Sequence, residues 1–144
     1  MVSKRQYIAL SEFRARLAEF LHFSERAAQG AGVPPMQYLL LLHLRGGAER
    51  EWATVGELAE LLRISHQGAV ALVQRCERAG LVRKRRSASD ARRVEIHLTA
   101  AARRLVERIA SKHVGELRRL GEAFRVDHVT PRDAAVTGLK SKQR

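Results

Sequence analysis

The chain is poor in cysteine, in carboxylates and in long apolar runs. One cysteine, Cys76, among 144 residues rules out an intrachain disulfide and a cluster of thiolate ligands. The histidines (His22, His43, His66, His97, His113, His128) never form H-x-x-x-H and never pair with the cysteine. The spacing that metal sites need is therefore missing, and neither a metal nor another cofactor is expected. The longest apolar run, Tyr38-Leu39-Leu40-Leu41-Leu42, is far below the ~20 residues that cross a bilayer. The opening residues, MVSKRQYIALSEF, carry basic groups with no apolar segment after them. No secretory leader is expected, and a soluble, cytoplasmic protein is. A Gly-rich phosphate loop, a G-x-S-x-G turn and a paired-carboxylate segment are all absent, so an enzyme is not expected.

The shortage of acids is uneven. Lysine and arginine number 27 against 15 acids, a formal charge of +12 and a pI near 11.3. Residues 1–62 hold 7 basic and 7 acidic side chains. Residues 63–93 hold 9 and 2, net +7, and residues 94–144 hold 11 and 6, net +5. The densest block is Arg83-Lys84-Arg85-Arg86, followed by Arg92-Arg93. Such a balance suits nucleic acid, an anionic membrane surface, or solubility alone. Concentration of the charge within one segment favours nucleic acid. At 45% hydrophobic residues the chain can bury roughly two thirds of its unfolded surface in one domain, residues 1–144.

Local patterns place the elements. Leu10, Phe13, Leu17, Phe20 and Leu21 recur at helical steps and predict an amphipathic helix over 5–29, ended by Gly30-Ala31-Gly32. Pro34-Pro35 opens a second helix to Arg45, apolar nearly all round and so central. Glu51-Trp52-Ala53 reads as a very short strand. Thr54 and Glu57 form a capping box at the head of a short helix, Val55–Leu62. Ser65 caps the next, His66 to Ala79, with Ala69, Leu72, Val73 and Cys76 inward. Leu81–Arg83 and Val94–Leu98 alternate as strands around a small, basic loop, predicting a β-hairpin. Thr99 caps a long helix to about Phe124, with Leu105, Ile109, Leu117, Leu120 and Phe124 on one side. Thr130-Pro131 opens a last short helix.

The fold class is therefore mainly α with a small β-hairpin wing (α+β). Its centre, residues 54–98, is a helix-turn-helix followed by a wing. In such a unit a short first helix braces the second across a brief turn, here Arg63-Ile64-Ser65, with Ile64 sealing the angle. The second helix enters a major groove with small and polar groups outward, and His66, Gln67, Gly68, Val70 and Gln74 meet that requirement. Cationic side chains of the hairpin reach the backbone or a minor groove.

This segment resembles the MarR family (multiple antibiotic resistance regulators) of winged helix-turn-helix transcription factors. GELA in the bracing helix, ERAGLV at the end of the recognition helix, D-x-R in the wing (Asp90, Arg92) and Leu98-Thr99 match in order. The flanking segment FRARLAEFLHFSERAAQGAGVPPMQYLLLLHLRG is similar to the first two helices of one branch of the family. The resemblance implies that Ser65 to Gly68 open the recognition helix at the groove, with Gln74 and Arg75 further along it. It implies that Arg92 enters the minor groove while Asp90 shapes the wing. Lys84 and Arg86 join the DNA-contacting set. It further implies a homodimer built from residues 5–29 and 100–139. That dimer binds pseudo-palindromic double-stranded operators, most often as a repressor, and is released by a small anionic or phenolic effector. No membrane partner is implied. The alternative is a nucleic-acid-coating or architectural protein that uses charge without reading sequence.

Tyr38, His43, Arg14 and Arg16 are open to an effector role or to ordinary core and surface roles. A buried Cys76 acts as a small hydrophobe, and Trp52 is expected to pack under the wing.

Overall fold

A computed structural model describes residues 1–123. The order is α1 (Lys4–Gly30), α2 (Pro35–Arg45), β1 (Trp52–Ala53), α3 (Val55–Leu62), α4 (His66–Arg78), β2 (Val82–Arg86), β3 (Val94–Leu98) and α5 (Ala100–Ala123). The short helix expected after Thr130, and Phe124, lie outside the described residues. The described residues pack as two units: residues 24–113, and residues 1–23 together with residues 114–123.

In the larger unit local chemistry sets each boundary. Pro35 begins α2 where its missing N–H costs nothing. Thr54 Oγ1 accepts the Glu57 N–H at 3.2 Å, the expected cap of α3. The other half of the capping box differs. The Glu57 carboxylate accepts from the Thr54 hydroxyl at 3.2 Å and also pairs with Arg50. Ser65 Oγ accepts the Gly68 N–H at 3.0 Å and starts α4.

Three helices of this unit end in the same way. After α1, Val33 N–H bonds back to Ala28 O and Gly32 N–H to Gln29 O, with Gly32 at φ +77°. After α4, Leu81 N–H reaches Cys76 O and Gly80 N–H reaches Glu77 O, with Gly80 at φ +72°. These are Schellman turns, which need a left-handed residue and favour glycine. After α3 the same pair of bonds runs from Ile64 to Ala59 and from Arg63 to Glu60. There the left-handed residue is Arg63, at φ 54° and ψ 45°. The turn between the two short helices is thus a Schellman turn closed by arginine.

The expected hairpin is part of a three-stranded antiparallel sheet in the order β1-β3-β2. Trp52 pairs with His97 and Ala53 with Ile96, while β2 runs from Val82 opposite Leu98 to Arg86 opposite Val94. One face, with Ala53, Val82, Ile96 and Leu98, is buried in the core. That core also takes Tyr38, Leu40, Leu41 and Leu44 of α2, Leu58 of α3, and Leu72, Val73 and Cys76 of α4. The inward stripe of α5 in this unit is Ala102, Leu105, Val106 and Ile109, which adds Ala102 and Val106 to the expected positions.

In the smaller unit, Phe13, Leu17 and Phe20 of α1 are half-buried and Leu120 of α5 is buried. Leu10 and Leu21, expected on the covered face, are 50% and 53% exposed, and Leu117 is 58% exposed. Arg16, Glu19, Phe20, Glu116, Arg119 and Leu120 line a cavity of about 240 Å³ in this unit.

Candidate nucleic-acid interface

The sequence sets out α4 with one face for the core and another for solvent. Ala69, Leu72, Val73 and Cys76 are buried, and Ser65, His66, Gln67, Gln74 and Arg75 are exposed, with Gly68 and Val70 half-buried. Residues on a helix turn about 100° each, so Gln67 and Gln74 stand in one row seven residues apart, with His66 and Val70 beside it. Arg78 extends that row, is exposed, and was missed by sequence reasoning, although the same periodicity contains it. Arg75 sits about 100° round from Gln74, at the edge of this face. A Cβ at Gly68 would stand 3.0 Å from Ser65 Oγ, so the first turn is tightly closed as well as free of side chain.

The buried stripe behind the face is inert. Cys76 has no exposed surface, and burial pushes its thiol up to about 11, with Arg75 acting weakly the other way. It behaves as a small hydrophobe at neutral pH.

The wing has its own hydrogen-bond frame. Asp90 Oδ1 accepts the Arg92 N–H at 3.0 Å, and the Asp90 carbonyl accepts the Arg93 N–H at 3.0 Å. The carboxylate acts on the backbone and leaves the Arg92 guanidinium exposed. Ser87, the buried polar residue among those described, closes the base. Its N–H bonds to Arg93 O at 2.9 Å, and its hydroxyl accepts the N–H groups of Ser89 and Asp90 at 3.3 Å each. Sequence reasoning missed Ser87, although a serine three residues before an aspartate in a tight loop is the signal.

Two wing cations are already engaged. Lys84 Nζ lies 3.8 Å from Glu77 of α4, and Arg86 donates to the Ala91 carbonyl at 3.3 Å. Both are exposed, but Lys84 stands at the base of the wing and Arg86 braces its loop. Trp52 lies on the sheet against His97, ring centroids 6.3 Å apart, with the Arg50 guanidinium 3.8 Å over the indole. It therefore packs on the outer face of the sheet that carries the wing.

Elsewhere in the larger unit, Glu51 takes guanidinium groups from both Arg45 and Arg103, tying the end of α2 to α5. The hydrogen bond from Arg103 holds its carboxyl below the usual range, aided by both positive charges. Tyr38 is core, stacked on His113 at 5.7 Å, and burial pushes its phenol up. Among the described residues no group of three or more His, Cys, Asp or Glu is placed to hold a metal ion. No described helix is long and apolar enough to cross a membrane.

Comparison with known proteins points one way. The model of the MarR family matches residues 31–93, the segment from the end of α1 through the wing. AbsC, a MarR family transcriptional regulator from Streptomyces coelicolor, superposes with a TM-score of 0.68 at 23% identity, covering 92% of this chain and 86% of its own. A second MarR family transcriptional regulator from Streptomyces coelicolor, solved in complex with DNA, gives 0.65 at 25% identity, covering 91% and 79%. A MepR variant from S. aureus bound to an oligodeoxyribonucleotide gives 0.62 at 23%, covering 76% and 79%. No curated protein is matched by sequence. Residues 31–93, which carry the helix-turn-helix and the wing, match the MarR family, and the chain shares the fold of these regulators.

Proposed function

We propose that the protein is a sequence-specific, double-stranded-DNA-binding transcriptional regulator acting as a repressor. The observation that carries this reading is the exposed row of α4 beginning at the Ser65 cap, beside a wing whose backbone Asp90 holds while Arg92 stays exposed. His66, Gln67 and Gln74 exchange hydrogen bonds with base edges in a major groove, and Gly68 and Val70 allow close approach. Arg75 contacts a phosphate and Arg92 enters a minor groove. Lys84 and Arg86 add charge from the positions that their internal contacts fix. The DNA held by two of the similar proteins supports this reading.

The operator is pseudo-palindromic because the protein acts as a homodimer through residues 5–29 and 100–139. The half-exposed Leu10, Leu21 and Leu117 support that assignment, since apolar groups on helices that are left uncovered in one chain suit a partner surface. A dimer carries twice the formal charge of +12, and its affinity falls steeply with salt. A small anionic or phenolic effector releases the DNA, and the protein works in the cytoplasm.

Selection of bound duplexes from a random pool tests the reading. A recovered motif with two related half-sites is expected, and replacing His66 and Gln67 changes the preferred base pairs. Recovery of no motif, with binding that depends on salt alone, would establish the coating-protein alternative.

A further inference from the structure

The sheet has a second face that the reading above does not use. Register places Trp52, His97 and Arg83 in one row across β1, β3 and β2, with Arg85 opposite Glu95 in a neighbouring row. Side chains alternate along strands, so this row points away from the core face of Ala53, Ile96 and Leu98. Arg93, at the foot of the wing loop, holds its guanidinium 5.9 Å from the Trp52 ring. Arg50 covers the same ring but is neutralised by Glu57, and Glu95 is engaged by His97 at 2.9 Å. Among the described residues no carboxylate lies within ion-pair distance of Arg83, Arg85 or Arg93. Three guanidinium groups with no carboxylate partner among the described residues thus stand on or beside one sheet face, one of them near an aromatic ring.

We propose that this outer sheet face is a second contact surface for the DNA backbone, taking phosphates of the duplex beyond the stretch read by α4. The inference rests on the DNA-binding reading. Guanidinium groups match phosphate geometry and bind it bidentately. An indole that orients one of them by a cation–π contact reduces the freedom lost on binding. Charge complementarity and continuity favour this occupant: Arg93 follows Arg92 in the chain, so the face adjoins the wing. Trp52 is here a positioning residue and Arg83, Arg85 and Arg93 are the contacts.

Trp52 is the sole tryptophan, so its emission reports on this face directly. The test compares the selected operator trimmed to its minimal core with the same core extended by random sequence at both ends. The wild-type protein is expected to bind the extended duplex several-fold more tightly. Its salt dependence steepens by about 0.9 per added phosphate contact, and Trp52 emission changes only with the extended duplex. The variant combining Arg83→Ala, Arg85→Ala and Arg93→Ala is expected to lose the gain from extension and keep its affinity for the core and its preferred sequence. Trp52→Leu loses part of the gain. All three arginines are exposed, so folding is retained and is checked by circular dichroism. A triple variant that keeps the full gain, or a wild-type protein with no gain and no emission change, overturns this inference alone. A wild-type protein with no sequence preference overturns the regulator reading and this inference with it.

Discussion

The Thr99 hydroxyl donates to the Gly80 carbonyl at 2.8 Å and accepts the Ala102 N–H at 3.2 Å. One side chain thereby joins the turn that ends α4 to the first turn of α5. Thr99→Val keeps the shape and removes both bonds. A loss of about 1–2 kcal/mol in denaturant unfolding is expected, from a lost cap and an abandoned carbonyl. Thr99→Ser keeps both bonds and stays close to wild type.

Glu51 sets a pH dependence. Its carboxyl is held below the ordinary 4.5 by the hydrogen bond from Arg103 and the charges of Arg103 and Arg45. A lowered carboxylate stabilises the fold above the unfolded value, and that contribution disappears as pH falls through the folded one. The melting temperature of the wild type is expected to drop between pH 6 and pH 3, and that of Glu51→Gln to start lower and drop less. Parallel curves for the two proteins would refute the clamp.

Arg63 occupies the left-handed region at the helix-turn-helix corner. A non-glycine residue there costs roughly 1–2 kcal/mol, part of which glycine gives back through unfolded-state freedom. Arg63→Gly is expected to stabilise the protein by about 0.5–1 kcal/mol in equilibrium unfolding. A destabilised variant would mean that the Arg63 side chain contributes more than its backbone costs.

In the wing, Arg92→Ala is expected to weaken operator binding at least tenfold in a mobility-shift assay with an unchanged melting temperature. Asp90→Ala removes the acceptor of the Arg92 N–H and is expected to weaken binding too, with a small fall in melting temperature. Equal operator affinity for wild type and Arg92→Ala would remove Arg92 from the interface.

The parts of the fold that are legible in sequence are those that local chemistry decides. Thr54, Ser65 and Pro35 mark helix starts because a cap or a proline acts within one turn, and α2, α3 and β3 begin and end where the pattern places them. Gly32 and Gly80 mark helix ends because only glycine enters the left-handed region freely. Arg63 gives no such sign, so the same turn there is invisible in the residue type. The strand β2 extends to Arg86 although Arg83-Lys84-Arg85-Arg86 shows no apolar alternation. As an edge strand it is held by its pairing with β3, which sequence periodicity does not contain. The candidate interface follows the same division. The α4 row and the Asp90 turn come from spacing, whereas Ser87, the Glu77 contact of Lys84 and the company of Trp52 depend on segments brought together from elsewhere.

The pairing of Trp52 with His97 closes a loop around both short helices. The helix-turn-helix is consequently an enclosed segment, stitched at its entrance and exit by two residue pairs, and not a free-standing motif. A fragment cut at Thr54 would open that stitch and leave an edge of β3 unpaired. The smallest piece expected to keep its shape begins before α2, whose Leu40, Leu41 and Leu44 fill the core, and runs past Ile109 of α5.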